Sequence, residues 1–268
     1  MDDAVAALLD TVHHLTGLDF RDYAPASLHR RIQRRVIAER VDSIAALHEL
    51  VKAERGALAH LTEALTVPVT SMFRDPAFFR EFRARVAPLL RTHPFLRLWV
   101  AGCSTGQEVY SLAIVLHEEG LYERSRIYAT ELQPTTLDQA ASGIYPLAAM
   151  QEYTRNYQEA GGTADFSDYY CADAASAIVR PHLRKNVVFA VHNLVSDRSF
   201  NEFHLIFCRN VMIYFNRTLQ QRVHDLVYES LAMWGYLGLG RSESVRFSQH
   251  EHCYEPVAER ERLYRRIL

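Results

Sequence analysis

The stretch Leu98–Ser111, LWVAGCSTGQEVYS, limits the possible folds more than any other part of the chain. Leu98 to Ala101 is an apolar run long enough for a buried strand. Gly102 and Gly106 follow, with Ser104 and Thr105 between them. Apolar residues then recur at helical spacing: Val109, Leu112, Ala113 and Leu116. Strand, small-residue turn and helix are the parts of a first nucleotide-binding crossover. Glycine there lets backbone approach a ligand where a Cβ would collide, and the helix start adds unpaired N–H groups. An ordinary tight turn would use the same two glycines, so the surrounding residues have to decide.

They argue against a dinucleotide. The spacing is G-x-x-x-G rather than G-x-G-x-x-G, and Glu108 sits at the helix start, where a pyrophosphate needs room and no competing charge. A carboxylate there suits a cationic or polar ligand better. S-adenosylmethionine fits, because it has no phosphate and carries a sulfonium and an ammonium.

From Leu96 the pattern alternates strand and helix. Arg126 to Thr130 reads as a second strand ending at Glu131, where an acid can grip ribose hydroxyls; Pro134 starts the next helix. Val187 to Val191 runs into His192-Asn193-Leu194, and His204 to Cys208 runs into Arg209-Asn210. Asn193, Arg209, Asn210 and Tyr214 follow strand ends expected to face the glycine turn. One such residue is usually a cap, but several on different strands favour a ligand crevice. Gly143 to Asn186 breaks the rhythm and reads as a small antiparallel insertion, with strand-like DYYC near 168–171 and AIVR near 177–180.

Residues 2 to about 66 read as helices only, with apolar stripes Val5–Leu15, Leu28–Val36, Ile44–Val51 and Leu58–Leu65, and Ser43 as a helix cap. The second helix, LHRRIQRRVIAER, carries Arg30, Arg31, Arg34 and Arg35 with no acid between positions 28 and 38. Such a face is either solvated or meets an acidic partner. Thr66 to Asp75 joins the two parts: Pro68 argues against a continuous helix, and Asp75-Pro76 reads as an N-cap with a first-turn proline. The expected domains are therefore 1–66, a linker and lead-in helix 67–95, and a ligand-binding domain 96–268 with its insertion at about 143–186.

Composition excludes several classes. With 268 residues and a net charge of -2, the chain has no wholesale cationic coat for nucleic acid. Its four cysteines form no C-x-x-C pair and read as reduced thiols; with an acidic start lacking a signal-peptide pattern, a cytoplasmic location is expected. No apolar run approaches a membrane span. No metal site is expected, since His250, His252 and Cys253 lack a second ligand pair, and the G-x-S-x-G of a serine hydrolase is absent.

The sequence resembles the chemotaxis receptor methyltransferases, the CheR family. The strongest match is IFCRNVMIYF at Ile206 to Phe215, followed by GCSTGQEVYS at Gly102 to Ser111 and SGIY at Ser142 to Tyr145. Weaker matches are Leu65 to Asp75, Val191 to Leu194 and Gly238 to Ser244. The resemblance spans nearly the whole chain. It implies an α/β fold: a doubly wound, Rossmann-like methyltransferase sheet with a small antiparallel insertion and an N-terminal helical bundle.

It also implies S-adenosylmethionine as cofactor, S-adenosylhomocysteine as product, and glutamates on the cytoplasmic helices of chemoreceptors as acceptors. Cofactor contacts carried over fall on Thr70, Arg74, Glu108, Glu131, Asn193, Leu194, Arg209 and Asn210, beside Gly102 of the turn. Arg74 and Tyr214 take the catalytic positions. Arg30, Arg31, Arg34 and Arg35 would face the receptor. A monomer is expected, with no nucleic acid and no membrane insertion. Pro68 stands where the family often has asparagine, so one cofactor contact is lost or replaced, and Glu131 replaces a common aspartate. Two rival functions are a methyltransferase acting on nucleic acid and a non-catalytic cofactor-binding scaffold. The first lacks the N-P-P-Y motif that nitrogen methylases carry where this chain has RNVMIY.

Overall fold

The computed structural model describes residues 2–66 and 70–268, so Pro68 lies outside the described residues. The chain divides into two units, Met1–Val67 with Met212–Arg222, and Pro68–Val211 with Val223–Leu268.

The first unit contains α1 (Asp3–Thr16), α2 (Pro25–Ala38), α3 (Ile44–Ala53) and α4 (Arg55–Thr66). Their apolar stripes turn inward: Leu8, Leu9, Val12, Leu28, Ile32, Leu47, Leu61 and Leu65 are buried. Ser43 caps α3 by accepting a hydrogen bond from the Ala46 N–H at 3.1 Å. The segment Met212–Arg222, which the sequence pattern places in the second domain, joins this bundle. Tyr23 and Phe215 form a β-bridge, and the Ala24 N–H donates to the Tyr214 carbonyl at 2.8 Å.

The second unit opens with α5 (Pro76–Glu81), a π-turn at Phe82–Val86 and α6 (Ala87–Leu90). Next come β1 (Leu96–Ala101), α7 (Gln107–Glu118), β2 (Ser125–Glu131) and α8 (Pro134–Ser142). The insertion holds β3 (Ile144–Pro146), α9 (Met150–Glu159), β4 (Tyr170–Ala172) and β5 (Ser176–Val179), and its three strands pair antiparallel in the order β3-β5-β4. The chain then returns to the main sheet through β6 (Val187–Val191) and β7 (Phe203–Cys208). Helix α10 (Arg217–Ser230), through which the unit boundary passes, leads to β8 (Leu231–Leu239), β9 (Tyr254–Ala258) and β10 (Leu263–Arg266).

The main sheet runs β6-β2-β1-β7-β8-β10-β9. Strands β6, β2, β1, β7 and β8 are parallel, and β10 runs against both its neighbours. This is the expected doubly wound α/β sheet with its antiparallel insertion. From β1 the chain steps outward through β2 to β6, then crosses to β7 on the other side of β1. The order therefore reverses between β1 and β7, and ligands bind beyond the carboxyl ends of strands at such a point. The core packs α7 and the aromatic α5 helix against β1 and β7, with Phe78, Phe79 and Phe82 all edge-on to Phe207.

Candidate functional site

The turn after β1 is built for close approach. Gly102 and Gly106 have φ of 71° and 91°, in the left-handed region that side chains resist, and Ser104 joins them at 51°. A Cβ on Gly102 would stand 2.7 Å from Val211 Cγ2. The turn is held from three sides. The Cys103 N–H donates to the Thr130 carbonyl at 2.9 Å, Gly106 caps α7, and the insertion's Tyr145 hydroxyl donates to the Thr105 carbonyl at 2.9 Å. Cys103 is buried, and burial pushes the pKa of its thiol up.

Glu131, at the tip of β2, meets this turn. Its carboxylate accepts the Ser104 N–H at 2.9 Å and the Leu132 N–H at 2.7 Å. Burial raises its pKa above the ordinary glutamate value, and those two N–H groups with that of Gln133 pull against the rise without cancelling it. Beside it, the Ser104 Oγ and the Gln133 Nε2 are buried polar atoms with no hydrogen-bond partner among the described residues.

Glu108, in the first turn of α7, is ion-paired with Arg209, which follows β7. The Arg209 guanidinium is 1% exposed. It also donates to Asp75 Oδ2 at 2.9 Å and to the Arg74 carbonyl at 3.0 Å, and lies 4.0 Å over the Phe78 ring. Burial pushes the Glu108 pKa up; the charge and hydrogen bond of Arg209, then the charge of Arg74, only partly offset it. Asp75 is the N-cap of α5 with Pro76 in the first turn, as the sequence predicts, but its carboxylate goes to Arg209 and makes no side-chain cap bond. Asp75 and Phe73 have φ of 57° and 52°. The second is pinned by its N–H, which donates to the Ser111 Oγ of α7 at 2.8 Å. Thr70 and Arg74, on this pinned segment, are half-buried.

At the end of β6, the Asn193 Oδ1 accepts the Val195 N–H at 2.9 Å, Leu194 is buried, and the Asn193 N–H donates to Asp197 at 2.9 Å. At the end of β7, Asn210 has φ of 60°, and its N–H donates to Glu243 at 2.8 Å. The same Glu243 oxygen accepts the Gly240 N–H at 2.7 Å. Glu243 is 5% exposed and was missed as a site residue; its only signal is the acid within GLGRSES. The candidate residues from Thr70 to Asn210 thus follow the carboxyl ends of β1, β2, β6 and β7 or the segment pinned to α7.

In the helical unit, the basic helix α2 is less uniform than its sequence suggests. Arg31 is buried, donates to the Leu65 carbonyl at 2.5 Å, and lies 4.5 Å over the Tyr214 ring. Arg35 is ion-paired with Glu39 one turn on. Arg30 and Arg34 are exposed. Tyr214 belongs to this unit, with its ring under Arg31. Among the described residues, no group of three His, Cys, Asp or Glu could hold a metal ion, and no helix is long and apolar enough to cross a membrane. His250 instead bonds Asp225 at 2.9 Å and stacks on Tyr228.

Comparison with known proteins gives these features a context. Residues 68–261 match the family model described as CheR methyltransferase, SAM binding domain, and residues 3–66 match CheR methyltransferase, all-alpha domain. The chain is 46% identical to the putative methyltransferase Cher3 of Pseudomonas putida over 265 residues, covering 99% of this chain and 97% of that one. It is 31% identical to chemotaxis protein methyltransferase 2 of Pseudomonas aeruginosa, over 90% of this chain and 86% of that one. It is also 32% identical to an uncharacterized 104.1 kDa protein of Rhodobacter capsulatus, over 91% of this chain but 26% of that one. The residues present fit the cofactor in the domain's description. A half-buried acid sits at the tip of β2, and beside it the Ser104 Oγ and Gln133 Nε2 are buried polar atoms without a hydrogen-bond partner among the described residues.

Proposed function

The chain belongs to the CheR methyltransferase family, and we propose that it methylates glutamate side chains on the cytoplasmic helices of chemoreceptors, forming glutamyl methyl esters. S-adenosylmethionine is its cofactor, and the chain is a methyltransferase that depends on it. The crevice carries the finer reading: the glycine turn, Glu131 and the Glu108–Arg209 pair converge at the sheet's switch point, in a chain that also matches the family's all-alpha domain. The acceptor's helices place the reaction in the cytoplasm.

When bound, the cofactor supplies a methyl group on a sulfonium that departs as a neutral thioether. The chain's own residues have little proton chemistry to do. An ordinary glutamate has a pKa of about 4.3, so the acceptor is already ionised near neutrality and needs no general base. The remaining task is to align carboxylate, methyl carbon and sulfur, which is positioning catalysis. Glu131 and Glu108 hold the polar parts of the cofactor. Glu131 is fixed by backbone N–H groups and Glu108 by Arg209, so neither has to reorganise. Arg74 and Tyr214 orient the acceptor carboxylate or the cofactor's charged end. On α2, exposed Arg30 and Arg34 meet acidic residues of the receptor, while Arg31 serves the bundle by holding Tyr214.

The deciding experiment is radiolabelled methyl transfer to receptor cytoplasmic fragments from the same organism. Alkali-labile counts are expected, and their absence with a competent cofactor site overturns the reading. For Tyr214, phenylalanine keeps the ring under Arg31. Tyr214→Phe should bind S-adenosylhomocysteine normally and lose at least about tenfold in methyl transfer, of the order of one acid–base or positioning contact. Full activity removes the hydroxyl from the mechanism.

A further inference from the structure

We propose that a second groove on the cofactor-binding unit, walled by Arg241 and Arg260, seats acidic side chains of the protein acceptor other than the glutamate being methylated. This rests on the acceptor being an acidic protein segment, as argued above.

The groove encloses about 300 Å³ between the start of α5, the end of β8 and the β9–β10 turn. Its floor is apolar, with Pro76, Ala77, Phe78 and Leu239. Its charge is one-sided. Arg209 is balanced by Asp75 and Glu108, leaving Arg80, Arg241 and Arg260 against Glu261 alone. Among the described residues Arg80 reaches only the Glu159 carbonyl, at 3.4 Å. Arg241 and Arg260 are exposed, and neither guanidinium bonds or pairs with an acid among the described residues. Other exposed arginines on this unit are matched to acids: Arg85 to Glu81, Arg91 to Glu119 and Arg246 to Glu259. Two neighbouring arginines without such partners leave their forks available for carboxylates, which guanidinium binds in a bidentate way.

The groove is also tied to the cofactor crevice. Asp75 and Arg209 line it, and another nitrogen of the same Arg209 holds Glu108 in the crevice. Arg241 follows Gly240, whose N–H shares Glu243 with Asn210. The wall of the groove is thus fixed to the strand ends that carry the cofactor contacts. An acidic segment suits it better than a phosphate backbone. The apolar floor accepts glutamate methylenes, whereas a continuous polyanion would meet the rim carboxylate of Glu261 without gaining an exposed stacking surface, Phe78 being 2% exposed.

The test uses the full chain carrying Arg241→Ala with Arg260→Ala, and the Lys/Lys pair as the conservative control. Three quantities are read: the acceptor concentration giving half-maximal alkali-labile methylation, the affinity for S-adenosylhomocysteine, and the anisotropy of a labelled short poly-L-glutamate. The alanine pair should raise the first and weaken peptide binding by about tenfold or more, as expected for two rim charges. It should leave cofactor affinity and saturated turnover within about twofold, and the lysine pair should recover most of the loss. Unchanged acceptor dependence and peptide binding in the alanine pair would overturn the proposal. So would a single-stranded oligonucleotide that outcompetes the glutamate peptide through the same arginines. If the unaltered protein yields no alkali-labile counts, the methylation reading fails, while the peptide arm still decides the groove.

Discussion

The two ends of helix α7 carry the same residue type in similar burial and reach opposite outcomes. Glu108 in the first turn is 12% exposed and paired with Arg209; Glu118 in the last turn is 5% exposed and paired with Arg83. The helix dipole favours a negative charge at the first position and disfavours it at the second. The pKa directions are the reverse, raised for Glu108 and lowered for Glu118. Hydrogen bonding explains the inversion. At Glu118, burial pushes the pKa up, but bonds from the Tyr157 hydroxyl and the Thr163 N–H, with the charge and bond of Arg83, outweigh it. The Thr163 and Tyr169 hydroxyls also donate, at 3.1 and 2.9 Å. Among the described residues Glu108 has Arg209 alone to bond it, and Arg209 is shared with Asp75. The saturated acid cements α7 to the insertion. The under-saturated one keeps a costly charge in the first turn of α7, where we propose that the cofactor binds; perturbed groups tend to collect at functional sites.

Removing the saturated acid should have the largest effect. Glu118→Gln leaves Arg83, 8% exposed, facing only Glu119 at 3.6 Å. Breaking one side of a buried pair costs about 3–5 kcal/mol, and the surviving Glu119 contact puts the expectation near the lower end. The pH dependence has a definite sign. With the folded pKa below the model value of 4.5, the carboxylate stabilises above that value, and the contribution is lost as pH falls through the lowered folded value. Urea unfolding should therefore show the variant less stable at neutrality and less sensitive to acid. A loss under about 1 kcal/mol would mean that the hub is incidental packing.

Glu108→Gln should behave in the opposite sense. A folded pKa above 4.5 means that stability is full below 4.5 and is lost as pH rises through the raised folded value. The glutamine escapes that loss but gives up the Arg209 pair, while Arg209 keeps Asp75. The net change at neutrality should stay within about 2 kcal/mol, and the falling limb above pH 4.5 should flatten. Affinity for S-adenosylhomocysteine should drop about tenfold, measured by calorimetry, a loss typical of one charged contact. Stability loss equal to that of Glu118→Gln with unchanged affinity would erase the functional distinction between the two ends.

The same pair shows what could be read from the chain alone. The strand–turn–helix at Leu98–Ser111, the acid at the tip of β2 and the inward stripes of the first four helices are local patterns, with periods and spacings set by backbone geometry. Family resemblance carried Glu108 and Arg209 as separate contacts. Their pairing, across 101 positions, and the capture of the carboxylate of the N-cap Asp75 by Arg209, across 134, depend on which strand ends meet. Arg31 misled for a related reason. A cation in a basic run reads as surface, but its place in the turn carrying Leu28 and Ile32 directs it inward to the Leu65 carbonyl and the Tyr214 ring. Glu243 has only the faint signal of an acid within GLGRSES, because its partners include backbone N–H groups at two strand ends.

The smallest change sharpens the comparison most finely. Thr163 gives Glu118 both an N–H and a hydroxyl, each at 3.1 Å, and Thr163→Val removes only the hydroxyl. At this exposed position the loss should be below about 1 kcal/mol, with cofactor affinity unchanged and the acid limb moved slightly upward in pH. A graded response, small here and large for Glu118→Gln, is what a carboxylate stabilised by several donors must give. If the valine variant is instead as unstable as the glutamine variant, the hub acts through the conformation of the 161–164 loop and not through the number of donors. The low pKa of Glu118 would then be a consequence of that loop and not the cause of the insertion's attachment.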